Sequence, residues 1–318
     1  MRISLLEPIG VGEEIIQELS EPIRRSGHEF IYYPEKTTDP DELLRRSAGC
    51  EVVTIANNPF PDRVVAACDR LKMINVAFTG IDHVGLEARR DRDIMVCNAA
   101  NDSNQTVAEL VISMTISLLR RMDEAGARVR GGGTAAGLTG QEIMGKTVGI
   151  IGTGRIGLMT ARLFQAFGAR VIAHSRTVRP EAEAMGIAYL PLTEVMAKSD
   201  IVSIHTPNDA STRGLISREM LALTKPTALL INCARGPIVD SAALAEALNE
   251  GRLGGAGVDV FNQKPPIPGS EPLLHARNEL LTPHIAFASR ESMLRRARIV
   301  FHNMEAYLAG KPENVCRY

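Results

Sequence analysis

The sequence predicts an α/β protein made of two parallel-sheet domains, and three observations lead there. At 318 residues the chain is about two domains long on a scale of roughly 150 residues per domain, and its 45% hydrophobic content can fill two cores. Short apolar runs alternate with amphipathic helical stretches from the first residues onward, which is how strands joined by helical crossovers read. The alternation breaks at GGGTAAGLTG, 131–140, and then starts again.

The first round gives RISLLE as a strand, a helix over 11–26, HEFIYY as a strand, a helix over 40–47, and two more strands in EVVTIA and LKMINVAF. It contains no phosphate loop and ends near VCNAAN at 96–101. TVAELVISMTISLLRRM then predicts one long helix, 106–122, so apolar that its own domain or a partner subunit has to cover it. The stretch 131–140 is too rich in glycine and small residues to pack a core and reads as an extended arm or loop. The second round is a six-strand nucleotide-binding pattern: KTVGIIG, ARVIAHS, DIVSIHT, ALLINCA, GAGVDV and ELLTPH, with helices over 156–167, 192–198, 217–223 and 241–249. A last amphipathic helix, 291–308, returns to the first domain. The expected domains are therefore 1–98 with 287–318, and 99–286.

A net charge of -1 leaves no electrostatic footprint for nucleic acid or an anionic membrane. Arg24–Arg25, Arg45–Arg46, Arg89–Arg90 and Arg295–Arg296 stand among acids or in helical patterns and read as solvated helix faces. The N-terminus has too short an apolar stretch for a signal peptide, and no window approaches the ~18 apolar residues of a membrane span. Five cysteines, without CxxC spacing or histidine clusters nearby, suggest neither a disulfide framework nor a metal site. A cytoplasmic protein with small buried cysteines is expected.

GTGRIG at 152–157 follows an apolar strand and opens a helix. Gly152 permits the tight turn, Gly154 lets the backbone approach a pyrophosphate, and Gly157 lets the helix pack on the strand, with Arg155 and Ile156 at the helix start facing the anion. The next strand should end with the residue that meets the adenosine ribose. Ser175 holds that place, followed by Arg176 and Thr177, with Arg179 close behind. A neutral hydroxyl beside a guanidinium that can fork onto a 2′-phosphate favours NADP(H), with NAD(H) possible. Arg235, Asp259 and His284 then close three successive apolar runs. A nucleotide loop followed by a cation and an imidazole is what reduction of a 2-oxo acid by a nicotinamide needs.

These residues resemble the D-2-hydroxyacid dehydrogenase family. The likeness runs through FTGIDHVGL at 78–86, TVAEL at 106–110, GKTVGIIGTGRIG, IHTP at 204–207, NCARGPIVD at 232–240, GVDVF at 257–261 and LTPHIA at 281–286. It implies a flavodoxin-like substrate domain and a Rossmann NAD(P)-binding domain, with the active site in the cleft between them. Separately, the apolar helix 106–122 and the glycine-rich arm after it predict a homodimer that buries this segment in its contact. By the same resemblance, Arg235 binds the substrate carboxylate and His284 exchanges the proton of the substrate oxygen. Asp259 stands beside the nicotinamide carboxamide, and Phe78, Thr79 and Gly80 form the loop whose amides close over the carboxylate. Thr106, His205, Thr206, Pro207, Thr212, Cys233, Ala234 and Ala286 complete the cofactor set.

The sequence departs from the family at Lys264, where a glutamate before proline would bond the histidine and raise its pKa. A like charge ~4 Å away would instead cost the protonated imidazole about 1 to 4 kcal/mol, unless a carboxylate such as Glu271 takes over the pairing. Three readings of Lys264 stay open: it turns outward and leaves an impaired ordinary dehydrogenase, it binds a second anionic group of a dicarboxylic or phosphorylated substrate, or it acts as the acid itself if burial lowers its pKa. Ala99-Ala100-Asn101, where the family often has a proline-glycine turn, and Phe287, where glycine is common, imply a reshaped pocket. The leading expectation is a cytoplasmic 2-oxo acid reductase acting on a small 2-oxo or 2-hydroxy acid. The rival is a nucleotide-binding sensor that keeps the fold with impaired catalysis.

Overall fold

Every strand of this protein runs parallel to its sheet neighbours, as helical crossovers between successive strands require. The computed structural model describes residues 1–81, 83–85 and 87–316. Contacts divide the chain into two units, one of Met1–Ser103 with the stretch from Ala288 on, the other of Asn104–Phe287. The junctions thus fall at 103/104 and 287/288, where the sequence reading set 98/99 and 286/287.

The first unit alternates β1 (Arg2–Leu5), α1 (Glu13–Arg25), β2 (Glu29–Tyr32), α2 (Pro40–Ser47), β3 (Val52–Ile55), α3 (Asp62–Ala67), β4 (Met73–Val76), α4 (Glu87–Asp91) and β5 (Met95–Asn98). Its sheet has the order β2-β1-β3-β4-β5. The central strands β3 and β4 are buried along their whole length, which is why they read as unbroken apolar runs rather than as alternating ones. The five-residue α4 and the six-residue α3 were not expected, being too short to show a helical period.

The second unit holds α5 (Asn104–Leu119), α6 (Met122–Arg130), β6 (Thr147–Ile151), α7 (Arg155–Ala166), β7 (Arg170–His174), α8 (Pro180–Ala184), β8 (Ala188–Tyr189), α9 (Leu192–Lys198), β9 (Ile201–Ile204), α10 (Arg218–Ala222), β10 (Leu229–Asn232), α11 (Ser241–Asn249), β11 (Gly255–Val258) and β12 (Glu279–Leu281). The sheet order is β12-β11-β10-β9-β6-β7-β8. It has seven strands, not six: the added β8 is a two-residue edge strand paired to β7, too short to carry a pattern. The expected single helix over 106–122 is also corrected. It stops at Leu119, and Arg121 takes a left-handed conformation (φ 51°) from which α6 starts in a new direction.

Own-unit packing covers α5: Val107, Val111, Ile112, Met114 and Leu119 share a core with Val148, Ile150, Phe164 and Ile231. Each such fully buried aliphatic or aromatic side chain is worth on the order of 1.5–3 kcal/mol. Ile116 of α5, Met122 and Val129 of α6, Met144 and Phe167 stay exposed.

The tail helix α12 (Arg290–Leu308) is capped by Ser289, whose hydroxyl accepts from Ser292 N. It belongs to the first unit, where Asn75 Nδ2 donates to Val300 O (2.9 Å) and Asn303 Nδ2 to Asn75 Oδ1 (3.1 Å). Two of the expected solvated arginines are buried instead. Arg46 donates to Glu42, Leu6 O and Glu35 O, and Arg296 is 2% exposed and paired with Asp102. Arg89 lies in a helix whose side chain there is outside the described residues. Among the described residues no helix is long and apolar enough to cross a membrane.

Candidate active site

Six strands of the second unit end in one row. Register pairs His174 with Ile151, Ile151 with Ile204, Ile204 with Asn232, Asn232 with Val258, and Val258 with Leu281. The residues that follow that row are Ser175, Gly152, His205, Cys233, Asp259 and Thr282. Parallel strands linked by right-handed crossovers open a crevice beyond their C-terminal ends where the winding reverses. Here the reversal is at β6, between β9 and β7, and GTGRIG lies there.

Gly152 has φ +98°, in the left-handed region, and a Cβ on it would lie 2.8 Å from the His205 carbonyl carbon. A Cβ on Gly157 would lie 2.0 Å from Gly152 O, so the helix can sit on the turn only with glycine there. A Cβ on Gly154 would meet nothing within 4 Å. The open side of the loop is therefore where α7 begins, with Gly154 as its N-cap, Arg155 and Ile156 in its first turn and no side chain capping it. That leaves amides for an anion. Beside them, Thr206 Oγ1 and Asn208 Oδ1 are buried with no partner among the described residues. Open amides and orphaned buried oxygens fit a dinucleotide there. Thr212 Oγ1 donates to Pro207 O (2.6 Å) and accepts from Asp209 N (2.9 Å), closing the turn after β9. His205 Nε2 meets Ser203 Oγ at 2.8 Å, and burial pulls its pKa down to about 3, so it stays neutral.

On the other side of β6, Ser175 is half-buried while Arg176 and Thr177 are exposed. The loop is held by Tyr189 on β8, whose hydroxyl donates to Thr153 Oγ1 (2.8 Å) and accepts from Arg179 N (3.1 Å). Arg176 helps to hold the Asp209 carboxyl below its ordinary range, behind the hydrogen bonds from Ser211. No acid stands at the ribose position.

Arg235 follows β10 and is half-buried; its Nη1 donates to Ala234 O (2.8 Å), and Asn232 braces the turn by donating to Arg235 O (3.0 Å) and accepting from Ala234 N (3.1 Å). Cys233 packs into the core, and burial pushes its thiol well up, so it has no nucleophilic form to offer. Asp259 is fully buried. Its Oδ1 accepts from Thr282 Oγ1 (2.5 Å) and Ile285 N (2.8 Å), its Oδ2 from Ala286 N (2.9 Å), and its backbone O from His284 N (2.8 Å). The carboxylate thereby wraps the 282–286 loop around itself. His284 takes a left-handed backbone (φ 59°) at the centre of that loop, with the Phe287 ring edge-on at 5.5 Å. Residue 287 is thus a wall for the imidazole. Arg235 and His284 stand beyond strands two spacings apart, about 10 Å, with Asp259 between them.

Lys264 lies in the loop after β11 and is exposed, so the burial that the acid reading calls for is not found there. Glu271, the other acid considered for pairing with the histidine, is buried at 8% exposure before the turn Pro272–His275.

In the first unit, Phe78, Thr79 and Gly80 follow β4. Phe78 O accepts from Ala99 N (3.0 Å) and Thr79 O from Asn98 Nδ2 (2.7 Å), while the amides of Thr79 and Gly80 have no acceptor among the described residues. Asp82 and Leu86 of the 78–86 motif lie outside the described residues. Asn101, in the segment where the family often has proline-glycine, takes φ 76°, a conformation asparagine tolerates better than most. Thr106 sits in the first turn of α5 and Ala286 is buried in the second unit's core. Sequence reasoning did not single out Asn208, Tyr189 or Asp102 and took Arg296 for a solvated residue; no spacing rule marks them, and only the fold brings them to these loops.

The family model described as D-isomer specific 2-hydroxyacid dehydrogenase, NAD binding domain, matches residues 112–286. A glyoxylate reductase from Korarchaeum cryptofilum is 34% identical over 281 residues, 86% of this chain and 84% of that protein. A hydroxypyruvate reductase from Blautia hydrogenotrophica is 30% identical over 296 residues, 91% and 92% of the two chains. Among solved structures, an acyclic imino acid reductase in complex with NADPH and D-Arg superposes with a TM-score of 0.90 at 29% identity over 100% of both chains.

Proposed function

The chain belongs to the D-isomer-specific 2-hydroxyacid dehydrogenase family, and from that premise we propose how its own residues carry the reaction. It is an oxidoreductase that transfers a hydride between a nicotinamide and C2 of a small 2-oxo or 2-hydroxy acid. The observation that carries the assignment of roles is the single row of strand ends, with the phosphate loop at the winding reversal and Arg235 and His284 on either side of Asp259.

The first turn of α7 holds the pyrophosphate, and His205, Thr206, Pro207 and Asn208 line the adjoining wall. NADP(H) is the preferred cofactor: Arg176 offers a fork to a 2′-phosphate, and no carboxylate at position 175 repels one. The similar imino acid reductase structure holds NADPH. When bound, the reduced cofactor supplies the hydride. Arg235 grips the substrate carboxylate through paired N–H groups and so aims the carbonyl. His284 gives a proton to the carbonyl oxygen in reduction and takes it back in oxidation. Asp259 fixes the loop that presents His284. Lys264 adds positive charge for a second anionic group on the substrate.

A second reading has one observation behind it. Position 264 supplies no carboxylate to hold a proton on His284, and a protonated 2-imino acid arrives with its proton already on nitrogen; one similar structure is that of an acyclic imino acid reductase. The protein is also proposed to be cytoplasmic and to pair with a second copy through the exposed apolar residues Ile116, Met144 and Phe167; sedimentation at micromolar concentration should show a dimer, and a monomer contradicts it.

The test is turnover of glyoxylate, hydroxypyruvate, pyruvate, oxaloacetate and phenylpyruvate with NADPH and NADH, each repeated with ammonia for the imine. Reduction of at least one acid, faster with NADPH, is expected. Tight cofactor binding without turnover of any of them would favour the sensor.

A further inference from the structure

In the loop 78–80 the carbonyls of Phe78 and Thr79 are tied to Ala99 N and Asn98 Nδ2, and something must hold its side chains as well. Behind it lies a buried ion pair that the family resemblance did not bring forward. Asp102 is fully buried and Arg296 is 2% exposed. Arg296 Nε donates to Asp102 Oδ2 at 2.8 Å. The guanidinium lies over the Phe78 ring, 4.1 Å from its centre, within the range of a desolvated cation–π contact. The other carboxylate oxygen, Asp102 Oδ1, accepts from Thr79 Oγ1 (3.3 Å) and from Ser103 Oγ (2.7 Å). Arg295 Nε donates to Asp102 O (2.9 Å), fixing the carboxylate's own backbone.

We infer that Asp102 and Arg296 form a positioning pair that sets the loop Phe78–Thr79–Gly80 for the substrate carboxylate. Each partner reaches one residue of the loop: Arg296 presses on the Phe78 ring and Asp102 anchors the Thr79 side chain. Together with Asn98 on Thr79 O, they leave the Thr79 and Gly80 amides without an acceptor among the described residues. A buried ion pair is a poor means of stabilising a fold, because apolar residues of similar volume often do as well. A pair whose two members hold two adjacent residues of one loop has a different use, which is to fix that loop before substrate arrives. The inference rests on the reading of this loop as the carboxylate binder.

The test uses the full chain with the most active 2-oxo acid of the panel, and oxamate as a substrate mimic. Asp102→Ala and Arg296→Met should each raise KM for the acid about tenfold, as loss of a well-aimed charge-assisted hydrogen bond does, with NADPH affinity and kcat changed far less. Because the two act as one unit, the double variant should also show about tenfold and not the product of the two. Melting temperature separates positioning from mere support. Each single variant leaves a buried charge unpaired and should melt lower, whereas the double variant removes both charges and should recover. KM should stay raised in the double variant; a KM that returns with the melting temperature overturns the inference. Should Arg296→Met fail to fold, Arg296→Lys keeps the charge but loses the planar stack on Phe78 and should raise KM about threefold; wild-type KM overturns the inference. Amide exchange of the peptide containing residues 78–80 tests the underlying reading separately. Oxamate with NADP should slow it in the wild type and not in Arg296→Met. No slowing in the wild type removes the loop reading, and the pair's role with it. Slowing in both, with unchanged KM, removes only the pair.

Discussion

Asp259→Asn changes one oxygen to NH2 in a fully buried side chain that meets only donors. Thr282 Oγ1 and Ile285 N point at Oδ1 and Ala286 N points at Oδ2. Whichever way the amide turns, its NH2 faces an N–H or O–H. The better orientation keeps the carbonyl toward Thr282 and Ile285 and sets NH2 against Ala286 N. That loses one charge-assisted hydrogen bond, about 1.5–3 kcal/mol, and leaves a buried donor unsatisfied, about 1–3 kcal/mol. Part of this is offset, because burial already raises the pKa of Asp259 and so works against its charged form. A net loss of about 2–4 kcal/mol is expected, read as a lower melting temperature. The loop that moves carries His284 in a left-handed conformation, and a displacement of about 1 Å there should lower kcat by about a hundredfold. Steady-state kinetics, NADPH titration by fluorescence and thermal melts read all three effects. NADPH affinity should hold. Strongly weakened NADPH binding with wild-type kcat at saturation would refute the reasoning, since it would mean that Asp259 serves the carboxamide.

Arg176→Ala should raise the dissociation constant of NADPH about tenfold or more while leaving that of NADH within about twofold, since only the former presents a phosphate to the guanidinium; equal loss for both, or a wild type that prefers NADH, contradicts the assignment. Lys264→Glu should weaken a dianionic substrate relative to a monoanionic one by roughly fivefold, because an exposed charge is worth about 1 kcal/mol. Unchanged ratios across the panel would show that Lys264 does not act on the substrate. His205 is neutral in the fold, with its pKa pulled from 6.5 to about 3, so the unfolded chain binds the extra proton first. Its contribution to stability is complete above pH 6.5 and is lost as pH falls toward 3. His205→Asn should therefore lose less melting temperature than the wild type over that window, and parallel curves would contradict the buried neutral imidazole.

The parts legible in the sequence are those with a period or a fixed spacing. Fully buried strands such as Val52–Ile55 and Leu229–Asn232 stand out as apolar runs between turn residues, and GTGRIG marks itself by glycine spacing. Arg235 and His284 were legible because each follows a strand end that the pattern already locates. The misses share a physical cause. Ala188–Tyr189 pairs on one edge over two residues, and the break at Arg121 depends on a single left-handed residue; neither leaves a periodic trace. Asp259 was legible as a strand-end acid, but its engagement with the amides of 285 and 286 depends on the loop folding back. Arg296 shows most clearly what composition cannot tell: in a paired-arginine helical pattern it looks solvated, while the acid that draws it inward is Asp102, 194 residues away in the chain.

Transfer of deuterium from nicotinamide-deuterated NADPH to C2 of the product tests the central claim most directly. The wild type should place the label at C2 of a single 2-hydroxy acid enantiomer. Arg235→Met should lose the reaction through weakened acid binding, and His284→Asn should slow the transfer by about 10² to 10⁴ with NADPH still bound. Absence of label at C2 with every 2-oxo acid tried, or undiminished transfer in His284→Asn, would contradict the account.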